Sequence, residues 1–154
     1  MNYTTAMIQL PLLQVREARA KIRNVEDLRA LVADMANLAQ ESVQVVTLDS
    51  KNGMINRHMV TLGLLDSSEI HPREIFRAAI LDSAASFIVF HNHPSGDSTP
   101  SANDINITRR LIQASKIIGI PVMDHCIITR QTADNPRGVY SMRETGTLDF
   151  STTA

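Results

Sequence analysis

A chain of 154 residues is about one domain long and can bury a real core; 44% hydrophobic and 20% charged residues argue against disorder and against a coiled coil. Charges nearly cancel, 15 basic against 16 acidic, which disfavours a strongly basic nucleic-acid binder but leaves room for a local patch. One cysteine excludes an intramolecular disulfide and a multi-cysteine zinc site, and it fits a reducing compartment.

The N-terminus, MNYTTAMIQLPLLQVREARAK, lacks the basic start, long apolar stretch and small-residue cleavage site of a signal peptide. No apolar run approaches the roughly 18–20 residues that cross a bilayer. The expectation is a cytoplasmic, soluble, single-domain protein. Residues 1–25 read as a solvated arm, interrupted by Pro11, in which Arg16, Arg19, Lys21 and Arg23 face one acid, Glu17.

From Asn24 the pattern is helical. Asn24 or Asp27 can cap, and Leu28, Leu31, Val32, Met35 and Leu38 recur at helical spacing, so a helix is expected to end near Gln40. Residues 43–48, VQVVTL, are rich in β-branched side chains and predict a strand. Asn52-Gly53 is a strong hairpin signal, and a second strand is expected over 54–62. His71-Pro72 opens a helix whose core face would carry Ile75, Phe76, Ala79 and Ile80. Residues 86–90, SFIVF, form a short continuous apolar strand, which suits a central, buried position. A polar loop follows, then a helix over 101–118 that Gly119 and Pro121 end. Strands are expected over 122–129 and 138–142, and the tail from Glu144, ETGTLDFSTTA, is expected to fray, at least from Ser151. Helix, hairpin, helix, strand, helix, strand is the order of an α/β layered domain with a mixed sheet.

The chemistry gathers in HNHPSGDSTPSAND. His91 and His93 are two apart at a strand end, so both imidazoles project to one side. Pro94 stops the ladder, and the loop can return so that the next helix starts beside the rings. Asp104 falls in its first turn. Two imidazoles and a carboxylate suit one Zn²⁺ per chain, with a fourth position left for water whose pKa the metal lowers to about 7. Ser101 and Asp104 also fit a capping box. A capping serine keeps its own hydroxyl proton free as a donor for an oxyanion; for Asp104 the ligand role is the favoured one.

His-x-His, seven residues, Ser, two residues, Asp resembles the signature of JAB/MPN-domain metalloproteases, also called JAMM. HNHPSGDSTPS with its aspartate, PREIFRAAI and the DHCII run are similar to the RadC branch. The resemblance implies an α/β fold of the cytidine-deaminase-like kind, a curved mixed sheet flanked by helices. It implies His91, His93 and Asp104 as zinc ligands and Ser101 as the oxyanion-stabilising serine. The family's general acid/base is a glutamate entering the first strand, and Glu41 occupies that place. A carboxylate there can take a water proton and deliver it to a leaving amine. Glu69 and Glu74 compete for the role, Glu74 being better placed on a polar helix face. On this basis 1–25 is an arm, 26–146 a RadC-like JAB/MPN domain and 147–154 a tail.

The implied activity is a zinc-dependent peptidase or isopeptidase that hydrolyses an amide bond of a protein or peptide. The alternative is a non-catalytic, metal-bound module in DNA repair or recombination. RadC proteins at full length carry an N-terminal helix-hairpin-helix DNA-binding region, for which this chain has no room. A nuclease is disfavoured: the contiguous His-Asn-His is not the dispersed set of HNH nucleases, and no phosphate-cradling glycine loop appears. His58 and His71 are expected at the surface or as caps, Cys126 as a buried thiol, and one of Asp124 and His125 as a group behind the metal site.

Phosphate binding needs clustered cations and weakens with salt. The expected DNA binding is weak or none, confined to the 16–23 arm and independent of zinc. Removing residues 1–23 should abolish it and leave metal content unchanged, as read by salt-dependent titration of labelled duplex. Tight sequence-selective binding, or cleavage of DNA lost with His91, contradicts this.

Overall fold

Residues 19–62 and 70–151 are described by a computed structural model of the chain. Pro11, Arg16, Glu17 and Glu69 lie outside them. The chain forms α1 (Val25–Leu31), a 3₁₀ turn (Ala33–Asn37), β1 (Ser42–Leu48), β2 (Met54–Leu62), α2 (Pro72–Leu81), β3 (Ser86–Asn92), α3 (Ala102–Ile118), β4 (Val122–Ile128) and β5 (Val139–Ser141). The five strands make one open sheet in the order β2-β1-β3-β4-β5. Only β3 and β4 run parallel; the other neighbours are antiparallel. This is the mixed α/β sheet flanked by helices that the sequence predicts.

Every residue of β1 and β3 is buried, because helices cover both faces. Alternation sorts the side chains. Val43, Val45, Phe87, Val89 and Ile127 pack under α2 and α3 with Ile75, Phe76, Ala79 and Leu111. Val46, Leu48, Ile88, Phe90, Cys126 and Ile128 pack on the opposite face with Leu28, Val32, Met35 and Ala36. Cys126 is the buried, unpaired thiol expected.

Three local expectations are corrected. The first helix does not run to Gln40: it stops at Leu31 and tightens into a 3₁₀ turn. In 3₁₀ geometry residues three apart eclipse, which suits the joint burial of Val32 and Met35. Ile80 is 57% exposed, while Ala78 is buried beside Ile75, Phe76 and Ala79; one step past Ala79 turns a side chain off the apolar stripe. The end of the chain is not loose through Phe150, which is buried in the α2/α3 core with Leu148 packed against it.

The described part of the arm is paired as well. Residues 20–22 run antiparallel to the hairpin, with Met54 N donating to Ala20 O at 2.9 Å and Ile22 N to Asn52 O at 3.1 Å. Arg19 pairs with Asp49 at 3.2 Å. Asp49 also orders the hairpin, its Oδ1 accepting from Lys51 N and Gly53 N at 2.8 and 2.9 Å. A Cβ on Gly53 would sit 2.7 Å from the same carboxylate, which is why the turn needs glycine there.

His58 is neither a cap nor a free surface residue. Its Nε2 lies 2.6 Å from Asp82 Oδ2, and Thr47 Oγ1 donates to that oxygen at 2.6 Å. The group ties the end of α2 to β1 and β2. Burial pushes the Asp82 pKa up, but the hydrogen bonds from Thr47 and His58 outweigh it and leave the carboxyl below its usual range. A carboxyl depressed in the folded state stabilises fully above its unfolded pKa of about 3.9 and loses that contribution as pH falls through its folded value. Asp82→Asn should therefore flatten the loss of stability below about pH 4, read from urea midpoints at pH 7 and pH 3. An unchanged acid slope contradicts it. In the same assay Phe150→Ala should cost about 3–5 kcal/mol, and Ile80→Ser under about 0.5 kcal/mol.

Candidate metal centre

Three elements converge at the C-terminal end of β3. Glu41 stands one residue before β1, and Val43 pairs with His91 across the β1–β3 ladder. His91 is the sixth residue of β3, on its α2/α3 face; His93 follows the strand. Asp104 lies in the first turn of α3. These side chains, with Ser101, Asn103, Ile107, His125, Thr61 and Ile70 among the neighbours, line an open cavity of about 280 Å³.

Glu41 Oε1 lies 2.6 Å from His91 Nε2 and 3.9 Å from His93 Nε2. One ligating atom from each of Glu41, His91 and His93 lies within 4.8 Å of the others. Asp104 Oδ1 is 3.4 Å from His91 Nδ1, and its Oδ2 is 3.4 Å from His93 Nε2. The three expected ligands, His91, His93 and Asp104, and the expected base, Glu41, are thus brought together. Two imidazoles and two carboxylates form a donor set that suits zinc.

The capping box also forms. Ser101 Oγ accepts from Asp104 N at 3.0 Å, and Asp104 Oδ2 accepts from Ser101 N at 2.8 Å. The expectation that Asp104 would favour the site over the cap is replaced by a shared role. Ser101 keeps its hydroxyl proton free of this cap and lines the cavity.

The charges hold one another. Hydrogen bonding to His91 lowers the Glu41 pKa, and the His91 and His93 charges add to it against burial. Burial pushes Asp104 up, but His93, the His91 charge and Ser101 hold it well below the carboxylate range. Burial opposes protonation of His93, yet its bonds to Asp104 and to the Asp97 carbonyl raise its pKa. His93 Nδ1 lies 2.7 Å from Asp97 O. A carbonyl can only accept, so Nδ1 carries the proton and Nε2 faces the site.

Two functional contributions escape sequence reasoning. Asn92 points to the other face, where Oδ1 accepts from Ser42 N at 2.7 Å and Ser42 Oγ at 2.9 Å, while Nδ2 donates to Gln40 O at 2.9 Å. It grips both neighbours of Glu41. Its partners are some fifty residues away, so no local pattern shows them; the only signal is a polar residue inside a buried strand. Thr108 is the second, hidden as a mid-helix threonine: its Oγ1 donates to Asp104 O at 2.6 Å and lies 2.5 Å from His125 Nδ1.

The Asp124-His125 pair divides as alternation requires. Asp124 turns away from the site and accepts from Ser141 Oγ, His125 N at 2.7 Å and Arg143 N at 3.0 Å; its pKa is raised by burial despite these bonds. His125 faces the site, its ring centre 5.7 Å from that of His91. Burial, aided by the His91 charge, pushes its pKa down and so favours the neutral ring. Glu74 is exposed on α2 and lines a different cavity. His71 stands at the N-cap of α2 without a side-chain cap bond.

Among the described residues, no helix is long and apolar enough to cross a membrane. Comparison with known families matches residues 22–147 to the RadC-like JAB domain. A UPF0758 protein of Clostridium perfringens is 51% identical over 72% of this chain and 49% of its own length. One of Bacillus pumilus is 47% identical over 77% of this chain and 53% of its own. A third, of Halalkalibacterium halodurans, is 44% identical over 86% and 55%. The chain spans about half the length of these curated relatives. With a fold and a donor cluster that agree with that match, the chain belongs to the RadC-like JAB domain family.

Proposed function

We propose that this chain is a zinc-dependent peptidase or isopeptidase that hydrolyses an amide bond in a protein or peptide. The observation that carries this reading is the place of Glu41. Its carboxylate comes from a different element than the imidazoles, is half exposed, and touches His91 at 2.6 Å. A purely structural metal site is closed by its ligands and needs no half-exposed carboxylate beside them.

His91, His93 and Asp104 would hold the ion. When bound, zinc supplies a Lewis acid that polarises a carbonyl and lowers the pKa of water to about 7. Glu41 would take the proton of the attacking water and hand it to the leaving nitrogen, a role that a half-exposed carboxylate from a separate element can fill. Ser101 aims its free hydroxyl proton at the oxygen that gains charge. The Asp97 carbonyl fixes the His93 tautomer, which leaves Nε2 as the atom that would hold the ion. Asn92 keeps Glu41 in reach by holding the backbone on both sides of it. A metal-bound module acting in DNA repair without catalysis would use the two imidazoles and Asp104 but neither Glu41 nor Ser101.

Purified protein should carry about one zinc per chain, measured by elemental analysis, and His91→Ala with His93→Ala should remove it. Stoichiometric zinc in that double variant defeats the assignment. Glu41→Gln should retain zinc and lose about 10²–10⁴-fold in amide hydrolysis, measured on substrates trapped by the same variant from a lysate. Loss of zinc on that change makes Glu41 a ligand, and unchanged turnover removes it from the mechanism.

A further inference from the structure

His125 carries a buried nitrogen with no partner. The residue is 3% exposed, and its Nε2 makes no hydrogen bond. Leaving such an atom unsatisfied costs about 1–3 kcal/mol, so its persistence in the wall of the metal cavity calls for a donor.

Hydrogen-bond counting fixes what that atom is. The Thr108 hydroxyl has one proton, and it goes to Asp104 O at 2.6 Å, an atom that can only accept. Thr108 Oγ1 also lies 2.5 Å from His125 Nδ1. Both contacts are favourable only if His125 Nδ1 carries the proton and donates it to Thr108. In the neutral ring, which burial favours, His125 Nε2 is then a bare lone pair.

His91 has the complementary need. Its Nε2 sits with Glu41 and His93 in the ligating group, which leaves Nδ1 to carry the proton. A metal-bound histidine almost always gives its second N–H to an acceptor. Asp104 Oδ1, at 3.4 Å, is beyond good hydrogen-bond length and belongs to a carboxylate assigned to the ion. The His91 and His125 ring centres are 5.7 Å apart with planes tilted by 44°. Facing nitrogens of two imidazoles at that spacing lie no closer than about 3.4 Å, so an N–H···N bond of about 2.9 Å needs His91 to move about 0.5 Å toward His125.

The geometry points to His125 as a positioning residue of the metal centre: its Nε2 accepts the His91 N–H, so that a chain from Asp104 O through Thr108 and His125 sets the orientation of His91. His125 is not a ligand. This rests on the zinc site proposed above, and its failure is separable from that site's failure.

The test is zinc affinity by chelator competition, together with ¹⁵N spectra of the full chain labelled at histidine. In wild type, His125 should show a protonated Nδ1 and an unprotonated Nε2, with or without zinc. Thr108→Val should remove that tautomer preference. His125→Asn keeps a donor near Thr108 but loses the acceptor, and should weaken zinc binding about 10–100-fold. His125→Gln places its amide oxygen near the Nε2 position and should stay within a few-fold of wild type.

A protonated Nε2 on His125 overturns the proposal. So does wild-type zinc affinity in His125→Asn. Equal losses in Asn and Gln, with equally lowered melting temperatures, assign His125 to packing and overturn it too. A wild-type chain that binds no zinc defeats the metal centre itself, and the tautomer still decides whether His125 presents an acceptor.

Discussion

Charge that leaves water must be met by charge or by hydrogen bonds, and the end of β3 is where this chain faces that requirement. β3 has neighbours on both edges and helices over both faces, so groups emerging from its last residues have solvent on one side only. His91 is nearly buried and Asp104 almost as much. The buried Asp104 carboxylate would not sit there ionised without the imidazoles and the Ser101 N–H, and neither imidazole would be oriented without acceptors behind it. Glu41, His91, His93 and Asp104 therefore form one mutually dependent set. Elements far apart in sequence come together because each supplies a partner the others lack.

Such a set works only if the backbone holds it to within fractions of an ångström. Local devices supply much of that rigidity. The capping box fixes Asp104 against Ser101, so the interaction that starts α3 also aims a carboxylate at two rings. The loop carbonyl of Asp97 holds His93. Asn92 binds the residues on either side of Glu41 and so couples the start of β1 to the end of β3. Stability and site geometry are the same bonds here. The capping-box and ligand readings of Asp104, which look exclusive on paper, are compatible because a carboxylate has two oxygens.

What was legible in the sequence was local. Apolar runs, the Asn-Gly turn, Pro72, Gly119 and the Ser101-to-Asp104 spacing place the strands and helices nearly where the structure has them. His-x-His at a strand end predicts two rings on one side, and both are there. The rest depends on contacts between distant segments. The break after Leu31 follows from how Val32 and Met35 must meet the sheet, which helical periodicity does not encode. Ile80 continues an apolar pattern that the last turn of α2 presents to solvent. Phe150 reads as tail because the core it joins is built by residues far upstream. Asn92, between two conspicuous histidines, looks like a spacer until its partners near residue 41 are in view.

The Asp124-His125 dipeptide shows how a sheet turns adjacent residues to separate tasks. Alternation sends Asp124 toward the α1 side, where Ser141 and Arg143 enclose it and tie β4 to β5 and the turn beyond. It sends His125 toward α3, where Thr108 Oγ1 accepts from its Nδ1 and the other nitrogen is left without a partner in the wall of the metal cavity. A register slip of one residue would exchange the two, placing an aspartate among the site's carboxylates and a histidine where Ser141 needs an acceptor. The parallel pairing of Val89 with His125 is what prevents that slip. It is enforced by the apolar residues on both faces of β3 and β4, so the orientation of a group behind the metal site is decided by how Phe87, Val89 and Ile127 pack beneath α2 and α3.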